Sequence, residues 1–216
     1  MEENVNDFVK KGTTTVGIVC KDGIILAADK RATFAGRIIA NKDVDKIFKI
    51  SNNMAITTAG TVSDVQLITK LIKAELTLIK IRTGREASVK TTANLLGAIV
   101  YHNIRKFSPI LGVTGFLLGG IDDTGFYLYE LGPDGSVLEH KNYATDGSGM
   151  MMAWGVLDTL YKEGINIQDG VKLAVKAVNA AMQRDAATGE AIDVYKVNIS
   201  GVEKVLTKRL ETNITI

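Results

Sequence analysis

The chain has 216 residues, of which 46% are hydrophobic and 23% charged, with a formal net charge of +2. This length favours one well-formed hydrophobic core and a single domain. Acidic and basic residues are interleaved, so the sequence predicts neither a nucleic-acid surface nor binding to an anionic membrane. The lone cysteine, Cys20, excludes an intrachain disulfide and is expected to be buried in its apolar surroundings.

Other classes of protein are also disfavoured. The first twelve residues carry Glu2, Glu3 and Asp7 and are not expected to act as a signal peptide. The chain has no apolar run of the ~18 residues that a membrane span needs. The two histidines, His102 and His140, are far apart in sequence, so neither a metal site nor a cofactor is expected. A reducing cytoplasm suits this composition.

The first elements form a predicted hairpin. Residues 13–20 are rich in β-branched side chains, which favours a strand, and residues 24–29 form a second apolar run. The turn signal Asp22-Gly23 separates them. Antiparallel pairing brings the outer ends of a hairpin together, so Thr13 is expected near Asp29.

Further strands are predicted at 37–40, 46–50 and 54–59. A helix follows, with apolar residues at steps of three and four from Val65 to Ile79. Leu67, Leu71 and Leu78 form a second apolar stripe, which predicts deep burial or contact with another subunit. The helix is expected to end at 82–84. A second helix is predicted from Val89 to Ile104, closed by Ser108-Pro109.

The second half of the chain again has predicted strands followed by two helices, and it ends with a further strand pair. Strands are predicted at 114–121, 126–131 and 136–139, helices at about 148–162 and 168–183, and a final strand pair at 193–199 and 204–207. Blocks of strands alternate with pairs of helices, unlike a regular parallel α/β sheet. The pattern predicts an α+β protein: a four-layer αββα sandwich of two antiparallel sheets flanked by helix pairs.

The junction between Gly12 and Thr13 is a candidate reactive bond. A threonine run usually reflects only strand propensity. Here, however, a glycine, which exposes its carbonyl, directly precedes the hydroxyl of Thr13. Attack on that carbonyl and hydrolysis of the ester would leave Thr13 with a free α-amine. Such an amine has a pKa near ~8 and can act as a base near neutral pH.

Seven short blocks stand out along the chain. They are Gly12-Thr13-Thr14-Thr15-Val16-Gly17-Ile18, Ala27-Ala28-Asp29-Lys30-Arg31-Ala32-Thr33, Lys46-Ile47-Phe48, Thr58-Ala59-Gly60, Leu118-Gly119-Gly120, Gly147-Ser148-Gly149 and Gln183-Arg184-Asp185. In this order they resemble the blocks of an archaeal-type proteasome β subunit, a member of the N-terminal nucleophile hydrolase family. The resemblance extends from Gly12 to about residue 200, most of the chain.

The resemblance implies roles for particular residues. Thr13 corresponds to the nucleophile, and Asp29 and Lys46 to the acid and lysine beside it. Gly60 corresponds to the oxyanion-hole donor. The residues expected around the terminal amine are Ser148, Asp185 and Thr188.

Two positions depart from the family pattern. The stretch between Asp29 and Lys46 is one residue longer than in the family, so Lys42 competes for the role of the lysine. We assign Lys46 because Ile47-Phe48 follows it. Thr188 stands where the family has serine, which retains a hydroxyl.

The family's substrate pocket maps to neutral residues, which implies cleavage after apolar side chains. These are Ala32, Val44, Phe48, Thr58 and Val62.

The implied protein is a catalytic subunit of a 20S proteasome core, a cytoplasmic threonine endopeptidase that degrades unfolded polypeptides. Residues 1–12 would be a propeptide, removed autocatalytically at Gly12-Thr13, and residues 13–216 the hydrolase domain.

The resemblance also implies partners. The chain would join a heptameric ring with itself or a paralogous β subunit, stacked on α-subunit rings and served by an unfolding ATPase. The main alternative is a non-catalytic structural β-type subunit of the same assembly. A shorter bacterial ATP-dependent ring protease fits less well, because removing twelve residues still leaves a longer chain than that protease has.

Overall fold

The computed structural model describes residues 12–34 and 38–209. Six strands come first, followed by two helices, four strands, two helices and two strands. The first group comprises β1 (Thr14–Cys20), β2 (Gly23–Asp29), β3 (Ala32–Phe34), β4 (Ile38–Asn41), β5 (Ile47–Lys49), β6 (Met54–Gly60), α1 (Val62–Thr83) and α2 (Val89–Arg105). The second comprises β7 (Thr114–Asp122), β8 (Gly125–Leu131), β9 (Val137–His140), β10 (Tyr143–Gly147), α3 (Met150–Leu160), α4 (Ile167–Met182), β11 (Ala191–Asn198) and β12 (Gly201–Arg209).

Two five-stranded antiparallel sheets form the centre. The first has the order β10-β1-β2-β11-β12, and the second β5-β6-β7-β8-β9. Helices α3 and α4 pack on the first sheet and α1 and α2 on the second. The predicted αββα sandwich is confirmed.

Strand β2 shows why this sandwich needs continuous apolar runs. Ile24 and Leu26 point into the core between the sheets, whereas Ile25 and Ala27 point into the core beneath α3 and α4. Side chains alternate between the two faces of a strand, and both faces are covered here. The strand is therefore buried along its whole length.

Most predicted elements are confirmed within a few residues. The β1–β2 hairpin pairs Thr15 with Ala28, as expected. The strand predicted at 37–40 appears as β4, although Arg37 itself lies outside the described residues. The sequence prediction missed β3 and β10, and the end of α2 at Arg105 precedes the predicted Ser108-Pro109 stop.

Helix α1 has an uncovered apolar stripe. Ile68 and Ile72 on its inner face are buried, but Leu67, Leu71 and Leu78 remain 41–48% exposed. The helix ends at Thr83 and is capped by Gly84, which adopts a left-handed φ of 68° and donates its N–H to the carbonyl of Lys80. Within the described residues, no helix combines the length and apolar character needed to cross a membrane.

Candidate active site

Thr13 lies at the start of β1 with its side chain turned back on the preceding residue. Its Oγ1 donates a hydrogen bond of 2.5 Å to the carbonyl oxygen of Gly12, and both residues are buried. Lys46 Nζ donates to the same oxygen over 3.1 Å. The Gly12 carbonyl is thus polarised from two sides, with a hydroxyl beside it.

Asp29, at the end of β2, organises the groups around this bond. Its Oδ1 accepts from Thr14 N at 3.0 Å and from Lys46 Nζ at 2.8 Å. Its Oδ2 accepts from Arg31 N at 3.0 Å and from Gly189 N at 3.1 Å. The side chain is fully buried, and four donors fix it in one position.

The structure places Lys46, rather than Lys42, beside Thr13. Lys42 is exposed, whereas Lys46 is 7% exposed and ion-paired to Asp29. Burial lowers the pKa of Lys46 below its ordinary value of 10.5, and the charge of Asp29 opposes this effect. The cation therefore reaches the Gly12 carbonyl from a largely desolvated position, where its charge acts strongly.

A hydroxyl–carboxylate network lies on the amide side of Thr13. Thr13 N donates to Ser148 Oγ at 3.2 Å, and Ser148 Oγ donates to Asp185 Oδ2 at 2.5 Å. Thr188 Oγ1 donates to the same Oδ2 at 2.6 Å and lies 2.7 Å from Thr14 Oγ1. The hydroxyl of Thr188 is therefore hydrogen-bonded to Asp185.

Strand β10, which was not predicted, positions Ser148. It pairs with β1 so that Gly147 lies opposite Thr14. Gly147 has a φ of 101°, and a β-carbon there would come within 2.2 Å of Thr13 O. Only glycine permits this close approach of the two backbones without a clash.

A cavity of about 420 Å³ opens beside Thr13. Gly60, at the end of β6, lines it together with Thr13 and Lys46. All five residues assigned to the substrate pocket line it as well: Ala32, Val44, Phe48, Thr58 and Val62. The sequence prediction missed one acidic lining residue, Asp45, whose carboxylate is ion-paired to Lys30 at 2.8 Å.

Arg31 is a further residue that the sequence reasoning missed. Its Nε and Nη2 donate to Glu190 Oε1 at 3.2 and 3.0 Å, and its Nη1 donates to Ala186 O at 2.8 Å. It thereby ties the 183–190 segment, which carries Asp185 and Thr188, to the end of β2. One indication of a role for Arg31 was present in the sequence, because it lies two residues after Asp29 in one of the blocks that resemble the family.

Glu190, which accepts hydrogen bonds from Arg31, has a strained backbone conformation. It is the one non-glycine residue with positive φ, 71°, in the described part of the chain. We expect Glu190→Gly to be about 1 kcal/mol more stable than Glu190→Gln, because both lose the ion pair with Arg31 but only glycine relieves the backbone. Calorimetry of the two variants in the same assembly state measures the difference. Equal or reversed stabilities would show that the backbone is unstrained.

Other reactive groups lie away from this site. Cys20 is buried, as predicted, and burial together with the nearby charge of Asp22 raises the pKa of its thiol to about 12, which keeps it unreactive. Across residues 12–34 and 38–209, no three or more His, Cys, Asp or Glu side chains are grouped so as to hold a metal ion. The chemistry that the site offers is acyl transfer by a hydroxyl with lysine and carboxylate support.

Comparison with known proteins identifies the family to which the chain belongs. The family model described as "Proteasome subunit" matches residues 9–197. The chain belongs to the proteasome subunit family, whose members have the N-terminal nucleophile hydrolase fold.

Archaeal relatives give a closer comparison. The chain is 45% identical over 201 residues to "Proteasome subunit beta 2" of Pyrococcus furiosus, covering 93% of this chain and 94% of the relative. It is 44% identical over 193 residues to "Proteasome subunit beta" of Ferroglobus placidus, covering 89% and 90% respectively. The corresponding protein of Archaeoglobus fulgidus is 42% identical over 193 residues, covering 89% of this chain and 88% of the relative.

Proposed function

We propose that this chain is the catalytic β subunit of a 20S proteasome core, a threonine endopeptidase that matures by cutting itself between Gly12 and Thr13. The observation that carries the proposal is the position of Thr13 Oγ1 and Lys46 Nζ, 2.5 and 3.1 Å from the Gly12 carbonyl oxygen. An ordinary surface Asp–Lys pair would not account for a buried lysine directed at a peptide carbonyl.

Self-cleavage proceeds by an N-to-O acyl shift. Thr13 Oγ attacks the Gly12 carbonyl carbon, and Lys46 stabilises the charge that develops on the carbonyl oxygen. The C–N bond then breaks as the proton lost by the hydroxyl is transferred to the leaving nitrogen. Water hydrolyses the resulting ester, which releases residues 1–12 with a carboxylate and leaves Thr13 with a free hydroxyl and α-amine.

The same groups serve peptide hydrolysis after maturation. The α-amine of Thr13 accepts the proton from Oγ as it attacks a substrate carbonyl, and Lys46 favours the deprotonated hydroxyl. Asp29 orients Lys46. Ser148, Asp185 and Thr188 hold the amine, since Ser148 Oγ already accepts from Thr13 N. The N–H of Gly60 donates to the oxyanion, and no cofactor or metal enters any step.

The cavity supports a substrate class. Its lining residues Ala32, Val44, Phe48, Thr58 and Val62 carry no charge, and the carboxylate of Asp45 is neutralised by Lys30. A pocket of this kind favours apolar side chains on the acyl side of the cleaved bond. The substrates would be unfolded polypeptides.

The proposed assembly is a heptameric β ring, formed with itself or with a paralogous β subunit, stacked on α-subunit rings and served by an unfolding ATPase in the cytoplasm. The exposed Leu67, Leu71 and Leu78 stripe of α1 supports contact with another subunit. A structural, non-catalytic role is the alternative, but it requires neither the buried Lys46–Asp29 pair nor a hydroxyl aimed at Gly12.

The intact mass of the chain after co-assembly with an α-type partner tests the proposal. We expect a product that begins at Thr13. A full-length product in well-formed rings that hydrolyse no peptide would favour the non-catalytic alternative. Isolated chain provides the comparison, because maturation confined to assembled rings predicts that it keeps residues 1–12.

A further inference from the structure

Lys30 is a buried lysine that the proposed mechanism does not use. Its Nζ lies 2.8 Å from Asp43 Oδ1, 2.8 Å from Asp45 Oδ1 and 3.4 Å from Asp193 Oδ2, and its side chain is 8% exposed. The ammonium group donates a hydrogen bond to Asp45, and all three carboxylates lie within ion-pair distance of it. Burial lowers the pKa of Lys30, but the contacts with the three carboxylates outweigh this effect and raise it above its ordinary value.

Two of these carboxylates belong to the loop between β4 and β5. Asp43 and Asp45 flank Val44, whose N–H donates to Lys30 O at 3.0 Å. Lys30 therefore holds this loop at three consecutive residues. Its side chain pairs with Asp43 and Asp45, and its main-chain carbonyl accepts from Val44. The loop forms neither helix nor strand over residues 42–46, so such tethers decide its position.

The third carboxylate anchors Lys30 to the sheet. Asp193 on β11 also accepts from Thr207 Oγ1 at 2.6 Å and pairs with Lys204 at 2.9 Å, both on β12. Asp43 has a second partner, Arg209, at 2.9 Å. Three cations and three carboxylates balance within this cluster, which joins the loop to one edge of the first sheet.

We propose that Lys30 is a positioning residue for substrate selection, which holds Val44 in the wall of the cavity beside Thr13. This inference rests on the proposed peptidase function of that cavity. Lys46 is held separately, because Asp29 pairs with its side chain and Thr58 N donates to its carbonyl at 2.9 Å. Losing Lys30 should therefore disturb binding of a substrate side chain more than the chemical step.

Self-cleavage offers an internal comparison. The residue before the cut is Gly12, which has no side chain to place in the cavity. Maturation should therefore depend little on the wall that Lys30 positions, whereas hydrolysis of peptides with large apolar residues should depend on it strongly.

The test is Lys30→Met in assembled rings, with a series of fluorogenic peptides. We expect KM for peptides with a large apolar residue before the cut to rise about 5–10-fold, while kcat and the rate of self-cleavage change by less than about threefold. Hydrogen exchange at the Val44 amide should accelerate about tenfold or more. Lys30→Arg, which keeps the charge, should restore most of the wild-type KM.

Lys196→Met is the matched control, because Lys196 on β11 also pairs with a carboxylate, Glu203, at 2.8 Å but lies outside the cavity. It should leave KM unchanged. The proposal would be overturned if Lys30→Met kept the wild-type KM and the wild-type exchange rate at the Val44 amide. It would also be overturned if Lys30→Met lost kcat and self-cleavage in parallel. If Lys30→Met does not assemble, Asp43→Asn decides between the same outcomes, because it removes one tether at a residue that does not line the cavity.

The inference and the proposed function fail in different ways. Wild-type rings without peptidase activity would contradict the proposed function. In that case the exchange rate at Val44 still reports whether Lys30 holds the loop. Active wild-type rings combined with a Lys30→Met variant of normal KM would contradict only the positioning role.

Discussion

Thr13→Ala is expected to abolish both self-cleavage and peptide hydrolysis. Among the described residues, the substitution removes the only hydroxyl that hydrogen-bonds to the Gly12 carbonyl, at 2.5 Å. Attack depends on a hydroxyl held in this geometry, so kcat should fall by at least about 10⁴-fold. The intact mass should remain that of the full chain, and fluorogenic peptide turnover should reach background.

The fold should survive this change. Within the described residues, Thr13 Oγ1 hydrogen-bonds only to its neighbour's carbonyl, whereas Thr14 makes the buried contacts with Asp29 and Thr188 that link β1 to the rest of the site. Thr13→Ser, which keeps a hydroxyl, is the control and should retain self-cleavage. Release of residues 1–12 from purified Thr13→Ala rings would contradict the assignment of the nucleophile.

Lys46→Met is expected to reduce kcat by about 10²–10³-fold without unfolding the chain. The cost corresponds to losing one preorganised donor that stabilises developing charge in a desolvated site. Methionine has nearly the same length as lysine and fills the same space. Asp29 would keep its other three donors, from the backbone N–H groups of Thr14, Arg31 and Gly189. Steady-state kinetics and thermal unfolding of the same preparation measure the two effects.

Lys42→Met distinguishes this assignment from its competitor. Lys42 is exposed and outside the cavity, so its loss should change kcat by less than about twofold. Near-normal turnover in Lys46→Met together with a large loss in Lys42→Met would show that the catalytic lysine has been assigned to the wrong position. Slower self-cleavage in Lys46→Met is also expected, because Nζ contacts the Gly12 carbonyl.

Local patterns were enough to predict most of the architecture. The apolar periodicity of α1 and α2 and the turn signals between strands identify elements that depend mainly on neighbouring residues. Strand β10 was missed because Tyr143–Gly147 has little apolar alternation, and it forms a strand by pairing with β1, more than 120 residues earlier. Strand β3 is three residues long and, in the part of the chain that the structure describes, pairs only with β4.

The candidate site likewise has features that follow from local sequence and features that depend on the tertiary structure. The sequence by itself determined the order of the reactive residues: a glycine before Thr13, a hairpin that returns Asp29 to it, and a lysine within the next twenty residues. These are local features, because a hairpin follows from its own turn and strands.

Only the tertiary structure shows that Lys46, and not Lys42, lies beside Asp29 and the Gly12 carbonyl, because burial there depends on how β5 packs against β2. It also brought Ser148 and Asp185, which lie more than 130 residues after Thr13, to the amide of the reactive threonine. The clamps formed by Lys30 and Arg31 became visible only there. Lys30 meets Asp193, and Arg31 meets Glu190, because β2 pairs with β11 in the same sheet. These partners lie more than 150 residues later in the chain, so no local pattern indicates the pairing.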